Sequence, residues 1–245
     1  MGRAHEVRKV AMAKTAAVKS KLYAKYGKEI YMAAKSGIPD PDNNLALRSI
    51  IAKAKKEQVS ADVIKRAIDK AKGGQGEDYQ SVRYEGFGSG NSLLIVECLT
   101  DNVSRTYTDV RSAFTKCGGK LGVTGSVLFQ FTHQAVVTVL NVKEDEILDI
   151  LITNDIDADI ETTDNDVTIF GDAALLFSIK TALQEANPLL ETTTEEIVWI
   201  PQVETVLDDE AYGKFERLYN ILDELDDVQE IFHNVKVPST DDEDE

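Results

Sequence analysis

Two cysteines, Cys98 and Cys117, are all that 245 residues carry. Their spacing fits no metal site, and two thiols are too few for a disulfide framework. Both are therefore read as reduced, in a cytoplasmic protein. No apolar run approaches the ~20 residues that cross a bilayer, and the start MGRAHEVRKVAMAK has no apolar signal core. A basic transit peptide is disfavoured because the same basic helical pattern continues past residue 30. Histidine is scarce as well: His5, His133 and His233 stand apart, with no HExxH and no nucleophile–base signature. The expectation is a chain with no catalytic residue, no cofactor, no metal, no membrane and no small-molecule substrate.

Charge, by contrast, is abundant and unevenly placed. The net charge is -16. Residues 1–76 nevertheless hold 17 Lys/Arg against 7 Asp/Glu, whereas residues 134–245 hold 5 against 30. Between them, residues 77–133 are nearly balanced, with 5 against 6. A basic head on an acidic body points to a head that meets a polyanion and a body that repels one.

The head reads as a small three-helix unit. Over residues 14–35, Lys14, Lys21, Lys25, Lys28 and Lys35 recur at intervals of 7, 4, 3 and 7. At 100° per residue they share a narrow wedge of one helix face. Leu22, Tyr26, Ile30 and Ala33 form a second, apolar stripe suited to packing inward. Gly27 interrupts this helix and allows a bend. A second helix is expected from about Leu45 to Glu57. A third starts after Ser60 as its cap, turns Ile64, Ala67, Ile68 and Ala71 inward, and ends at Gly73. Lysines on one face bind phosphates with strong salt dependence and little sequence information. Helix-turn-helix, zinc-finger and aromatic RNA-binding signatures are all missing, so DNA and RNA are equally open as partners.

The stretch YEGFGSGN, residues 84–91, raises the question of a phosphate-binding loop. Such loops lead into a helix whose amino end holds the phosphate. Here the glycines lead into the apolar run NSLLIVECL, which has strand character, and no GK[ST] follows. The loop is read as a hairpin connection with glycines at positive φ. Next, Asn102 is placed to cap a helix carrying Val103, Tyr107, Val110 and Phe114, with Gly118 at its end. GVTGSVLFQF then reads as a turn and a strand, making a β-β-α-β unit.

From residue 135 the order is strand, helix, strand, strand, helix, strand, which suits a ferredoxin-like fold. A helix around Asp208 to Leu225 and a strand around Val228 to Val235 would return to complete the interrupted sheet. The tail STDDEDE is expected to be disordered. Asp155, Asp157 and Asp159 stand at calcium-loop spacing, but Ile160 takes the glycine position and Asp166 the last ligand position. Alternating Asp and Ile is a half-buried strand instead.

The stretches PDPDNNLALRSIIAKAK, RYEGFGSG, VECLTDNVSRT and VRSAFTKCGGKLGVTGSVLFQF resemble the YebC/PmpR family, which includes the mitochondrial translational activator of cytochrome c oxidase. Where that family usually begins GHSKWANIK, this chain begins GRAHEVRKVAMAK, and SKLYAKYGKEIYMAAKSG is similar to the YeeN-like branch. The resemblance implies an α+β protein of three domains. A helical amino-terminal domain precedes two α/β-sandwich (ferredoxin-like) domains, the third inserted in the second. The boundaries read here are 1–76, then 77–133 plus 202–238, with 134–201 inserted and 239–245 as an acidic tail.

The resemblance also implies a cytoplasmic DNA-binding regulator of transcription. The alternative is a ribosome-associated translation factor that binds ribosomal RNA and relieves stalls. Ribosomal or transcription-machinery proteins are conceivable further partners. The candidate contacts are Arg8, Lys9, Lys14, Lys19, Lys21, Lys25, Lys28 and Lys35, with Arg105 and Arg111 secondary. A third reading is an acid–base enzyme using carboxylates between the second and third domains, its signature being a pair with opposed pKa shifts.

Overall fold

The structure is a computed structural model. It describes residues 3–74, 76, 78–163 and 166–237, with side chains described from residue 19 onward. The expected acidic tail and His5 lie outside the described residues or side chains. Along the chain run α1 (Arg3–Lys35), α2 (Leu45–Lys56), α3 (Ala61–Lys72), β1 (Gln80–Phe87), β2 (Leu93–Thr100), α4 (Val103–Lys116), β3 (Lys120–Leu121) and β4 (Phe131–Leu140). They are followed by α5 (Glu144–Thr153), β5 (Ala158–Thr162), β6 (Asp166–Asp172), α6 (Leu176–Ala186), β7 (Thr192–Pro201), α7 (Asp209–Asp223) and β8 (Val228–His233).

These elements build two compact units, Met1–Tyr84 with Val96–Leu121 and Glu216–Ile231, and Glu85–Ile95 with Gly122–Phe215 and Phe232–Glu245. There are two four-stranded sheets, ordered β3-β1-β2-β8 and β5-β6-β4-β7. The last strand of the chain therefore does join the first sheet, beside β2, as the sequence suggested.

In the first unit, α1 runs unbroken through Gly27 and starts well before the periodic stretch at residue 14. Its apolar stripe packs as read. Tyr26, Ile30 and Ala33 are buried against Leu47, Ile51 and Ala54 of α2 and Ile64 and Ala67 of α3. Each large aliphatic side chain removed from water there contributes about 1.5–3 kcal/mol. Asn44 fastens the turn before α2: its side-chain oxygen accepts from Leu47 N–H, and its amide donates to the carbonyls of Ala33 and Ile38. Ser60 stands at the start of α3 without making a side-chain cap.

Helix α4 is capped by Asn102, whose side chain accepts from Arg105 N–H. Gly118 follows it at φ +76°, a conformation glycine adopts without steric cost. The buried stripe differs from the one expected. Thr106, Val110, Ala113 and Phe114 face inward, while Val103 and Tyr107 are exposed. The helix is turned because the Thr106 hydroxyl reaches Asp227 Oδ2 at 2.8 Å.

In the second unit, β4, β5, β6 and β7 form an antiparallel sheet in the ferredoxin-like order. Ala135, Val137 and Val139 of β4 alternate inward, opposite Gly171, Ile169 and Val167 of β6. Ile147, Ile150 and Leu151 of α5 and Ile179, Ala182 and Leu183 of α6 complete this core. The Asp–Ile alternation becomes strand only from Ala158, in β5, where Ile160 pairs with Ile169, while Asp155 lies in the preceding turn at φ +54°.

The glycine loop is a turn. Ser89–Asn91 forms a single 3-10 turn between β1 and β2, closed by Gly88 N–H to Ser92 carbonyl. Only Gly90 of the three glycines has positive φ, at +61°, and a Cβ there would lie 2.6 Å from Leu207 Cδ2. Gly86 is instead an ordinary buried residue of β1.

GVTGSVLFQF contains no strand of the expected kind. Two residues, Lys120 and Leu121, form β3, and a 3-10 turn at Leu128–Gln130 leads into β4. The physical reason is Glu85, only 3% exposed. Its carboxylate accepts from the N–H groups of Gly125, Val127 and Leu128 at 2.5, 2.6 and 2.9 Å, folding that segment into a loop.

Candidate nucleic-acid interface

Helix α1 places Lys21, Lys25, Lys28 and Lys35 away from the apolar stripe, and all four meet carboxylates of the same unit. Lys21 Nζ lies 2.7 Å from Asp223 Oδ1 at the end of α7. Lys25 Nζ lies 2.5 Å from Glu230 Oε1 of β8 and also donates to the Gln229 carbonyl at 2.7 Å. Lys28 Nζ lies 2.8 Å from Asp227 Oδ1, donates to the Asp226 carbonyl at 2.9 Å, and stands 5.5 Å from the centre of the Tyr79 ring. Lys35 pairs with Asp78 and lies over Tyr31. Lys19 is exposed. Arg8, Lys9 and Lys14 belong to α1, but their side chains lie outside those described.

Arg105 is likewise an ion-pair partner. Its guanidinium reaches Asp101 Oδ1 at 2.7 Å and Asp227 Oδ2 at 2.8 Å. Arg111 is exposed on α4, in a shallow groove with Tyr107 and Lys116. The basic residues thus split into an engaged group, Lys21, Lys25, Lys28, Lys35 and Arg105, and an exposed pair, Lys19 and Arg111.

Asp227 is the hub of the engaged group. Besides Lys28 and Arg105 it accepts from Thr100 Oγ1 at 3.0 Å and Thr106 Oγ1 at 2.8 Å. Burial disfavours its charge, but the Arg105, Lys28 and Thr106 hydrogen bonds outweigh that and hold its carboxyl well below the usual carboxylate range. Glu29 on α1 moves the other way. Burial pushes it up and Glu230 adds to the rise, while Lys25 and Lys53 oppose it.

An open cleft of about 1300 Å³ beside this hub is lined by Lys21, Arg105, Asp109, Asp223, Glu224 and Asp226, among others. Sequence reading missed the acidic partners because α1 and the α7–β8 segment are some 200 residues apart. One signal was nevertheless there: Asp223, Asp227 and Glu230 repeat at 4 and 3, the interval of Lys21, Lys25 and Lys28.

Other chemistry-bearing groups are occupied structurally. Burial pushes the Cys98 thiol up to about 12, with Asp227 and Glu97 adding to the rise, so it is a thiol rather than a nucleophilic thiolate at neutral pH. His133 stacks on Trp199 at 4.2 Å, and His233 meets Phe215 edge-on at 4.9 Å. Among the described residues no group of three or more His, Cys, Asp or Glu is arranged to hold a metal ion, and no helix is long and apolar enough to cross a membrane.

Residues 3–74 match the family described as the TACO1/YebC protein N-terminal domain, and residues 79–235 match the TACO1/YebC second and third domain. A probable transcriptional regulatory protein of Acholeplasma laidlawii is 55% identical over 96% of this chain and 98% of its own. One from Alteromonas mediterranea is 51% identical, covering 98% of this chain and all of that one. A crystal structure of a conserved hypothetical protein from Aquifex aeolicus superposes with a TM-score of 0.74 at 33% identity, over 90% of this chain and 91% of that one. On these matches, spanning nearly its whole length and both of its sheets, the chain belongs to the TACO1/YebC family, here also called YebC/PmpR, whose relatives carry the name of transcriptional regulators.

Proposed function

We propose that the protein is a non-enzymatic regulator of gene expression that acts in the cytoplasm by binding nucleic acid, in the first place DNA, through the basic face of its amino-terminal helices. The observation carrying this reading is the charge asymmetry: 17 Lys/Arg against 7 Asp/Glu in residues 1–76, in a chain of net charge -16. The naming of its relatives as transcriptional regulators supports the same conclusion. Lysines that neutralise phosphates release counterions, so affinity depends steeply on salt and weakly on base sequence. The acidic remainder repels bulk polyanion and favours approach by the head. Lys14, Lys19, Lys21 and Lys25 are the proposed contacts, with Arg8 and Lys9 adding charge towards the chain start, while Lys28 stays bound to Asp227.

The test is the double variant Lys21→Gln, Lys25→Gln. Binding to a mixed-sequence DNA duplex should weaken for all sequences, and the slope of log affinity against log salt should become shallower. Unchanged affinity and slope would remove these lysines from the interface. Co-sedimentation with ribosomes and no gel shift on duplex DNA would instead select the ribosomal RNA reading.

A further inference from the structure

We infer that the carboxylates of Asp223 and Glu230 are a built-in competitor for nucleic-acid phosphate, holding Lys21 and Lys25 in an autoinhibited state that a polyanion must displace. This rests on the proposed nucleic-acid reading and adds its regulation.

The ion pairs of Lys21, Lys25 and Lys28 on α1 are not alike. Lys28 and Asp227 are 15% and 10% exposed and share their network with Arg105, Thr100 and Thr106. That pair is a fixed anchor, since parting it strands a buried charge. Asp223 and Glu230 are 56% and 55% exposed, and each lies within hydrogen-bond reach of one lysine. Lys21 and Lys25 are 29% and 21% exposed, so each pair is open to solvent on its acid side, and pairs with an exposed partner hold weakly. A phosphate entering from solvent can therefore take over either ammonium by rotation of the lysine stem, with α1 kept in place by its apolar stripe and the anchor.

The exchange has a signature. Binding to the native protein frees two carboxylates, which regain cations from solution. Net ion release is then smaller than the number of phosphates contacted would give. Neutralising the two acids removes that uptake.

The experiment compares the native protein, Asp223→Asn with Glu230→Gln, and a control of equal charge, Glu224→Gln with Asp226→Asn. The control acids line the same cleft. Each protein is titrated with a mixed-sequence DNA duplex and, separately, an RNA hairpin, across a salt series, after circular dichroism confirms the native fold. The proposal expects the latch variant to bind about tenfold tighter and its salt slope to steepen by one to two, with the control gaining threefold or less. Equal gains in both variants overturn the latch, because then only overall charge matters. No gain in the latch variant overturns it as well. Failure of all three proteins to bind either nucleic acid overturns the parent reading, and the latch with it. The DNA and RNA arms show which polyanion is the competitor.

Discussion

Asp227 shows what one side chain can do when four donors converge on it. Lys28, Arg105, Thr100 and Thr106 come from α1, α4 and β2, so the carboxylate fastens three elements at one point. Its pKa is depressed in the folded protein, whereas an unfolded aspartate titrates at about 3.9. A depressed acid contributes stability that is present above the unfolded pKa and lost as pH falls below it. Urea midpoints of the native protein should therefore decline as pH drops from about 5 towards 2, and Asp227→Asn should flatten that decline. At pH 7 the same substitution should cost about 2–3 kcal/mol, because Lys28 loses its counter-charge, Arg105 keeps only Asp101, and only part of the network survives. Denaturation curves over a pH series measure both effects.

At the level of elements, loops are shaped by buried acceptors as much as by turn residues. Glu85, on β1, gathers three backbone N–H groups from the segment before β4. Glu85→Ala should destabilise the protein by about 2–4 kcal/mol, since three donors lose their partner and that of Val127 is buried. Glu85→Gln should recover only part of this, as its amide presents one acceptor and one mismatched donor. Amide hydrogen exchange at Gly125, Val127 and Leu128 should accelerate in both variants, most in Glu85→Ala. Unchanged exchange would show that the loop is held by its own turns.

Over the whole molecule, the distribution of core residues sets what can fold alone. The β4–β7 sheet and its two helices draw their entire buried cluster from residues 135–183, with Ile156, Ala158, Ile160, Leu175, Leu176 and Leu190 packed against it. A fragment of residues 131–201 should accordingly show a cooperative thermal transition and dispersed amide NMR signals. A fragment without a cooperative transition would count against the proposed inserted domain. The three-helix head has a comparably local core, drawn from Tyr26 to Ala67. By contrast, the first sheet takes its fourth strand, β8, from more than 120 residues after β2.

Much of this was legible in order along the chain. Periodicity placed α1, α2 and α3, Asn102 and Gly118 bracketed α4, and the strand–helix alternation after residue 135 gave the ferredoxin-like sheet. These features are local, set by backbone preference and by which side chains must leave water. The sequence alone also determined the charge asymmetry and the family. Tertiary structure decided the rest. It turned Thr106 rather than Tyr107 inward, made a loop of the segment before β4, and brought carboxylates some 200 residues distant onto Lys21, Lys25 and Lys28. Each of those outcomes depends on which polar groups meet after the chain has closed on itself. A hydrogen bond or ion pair acts over a few ångströms in space, and spacing along the chain does not register it.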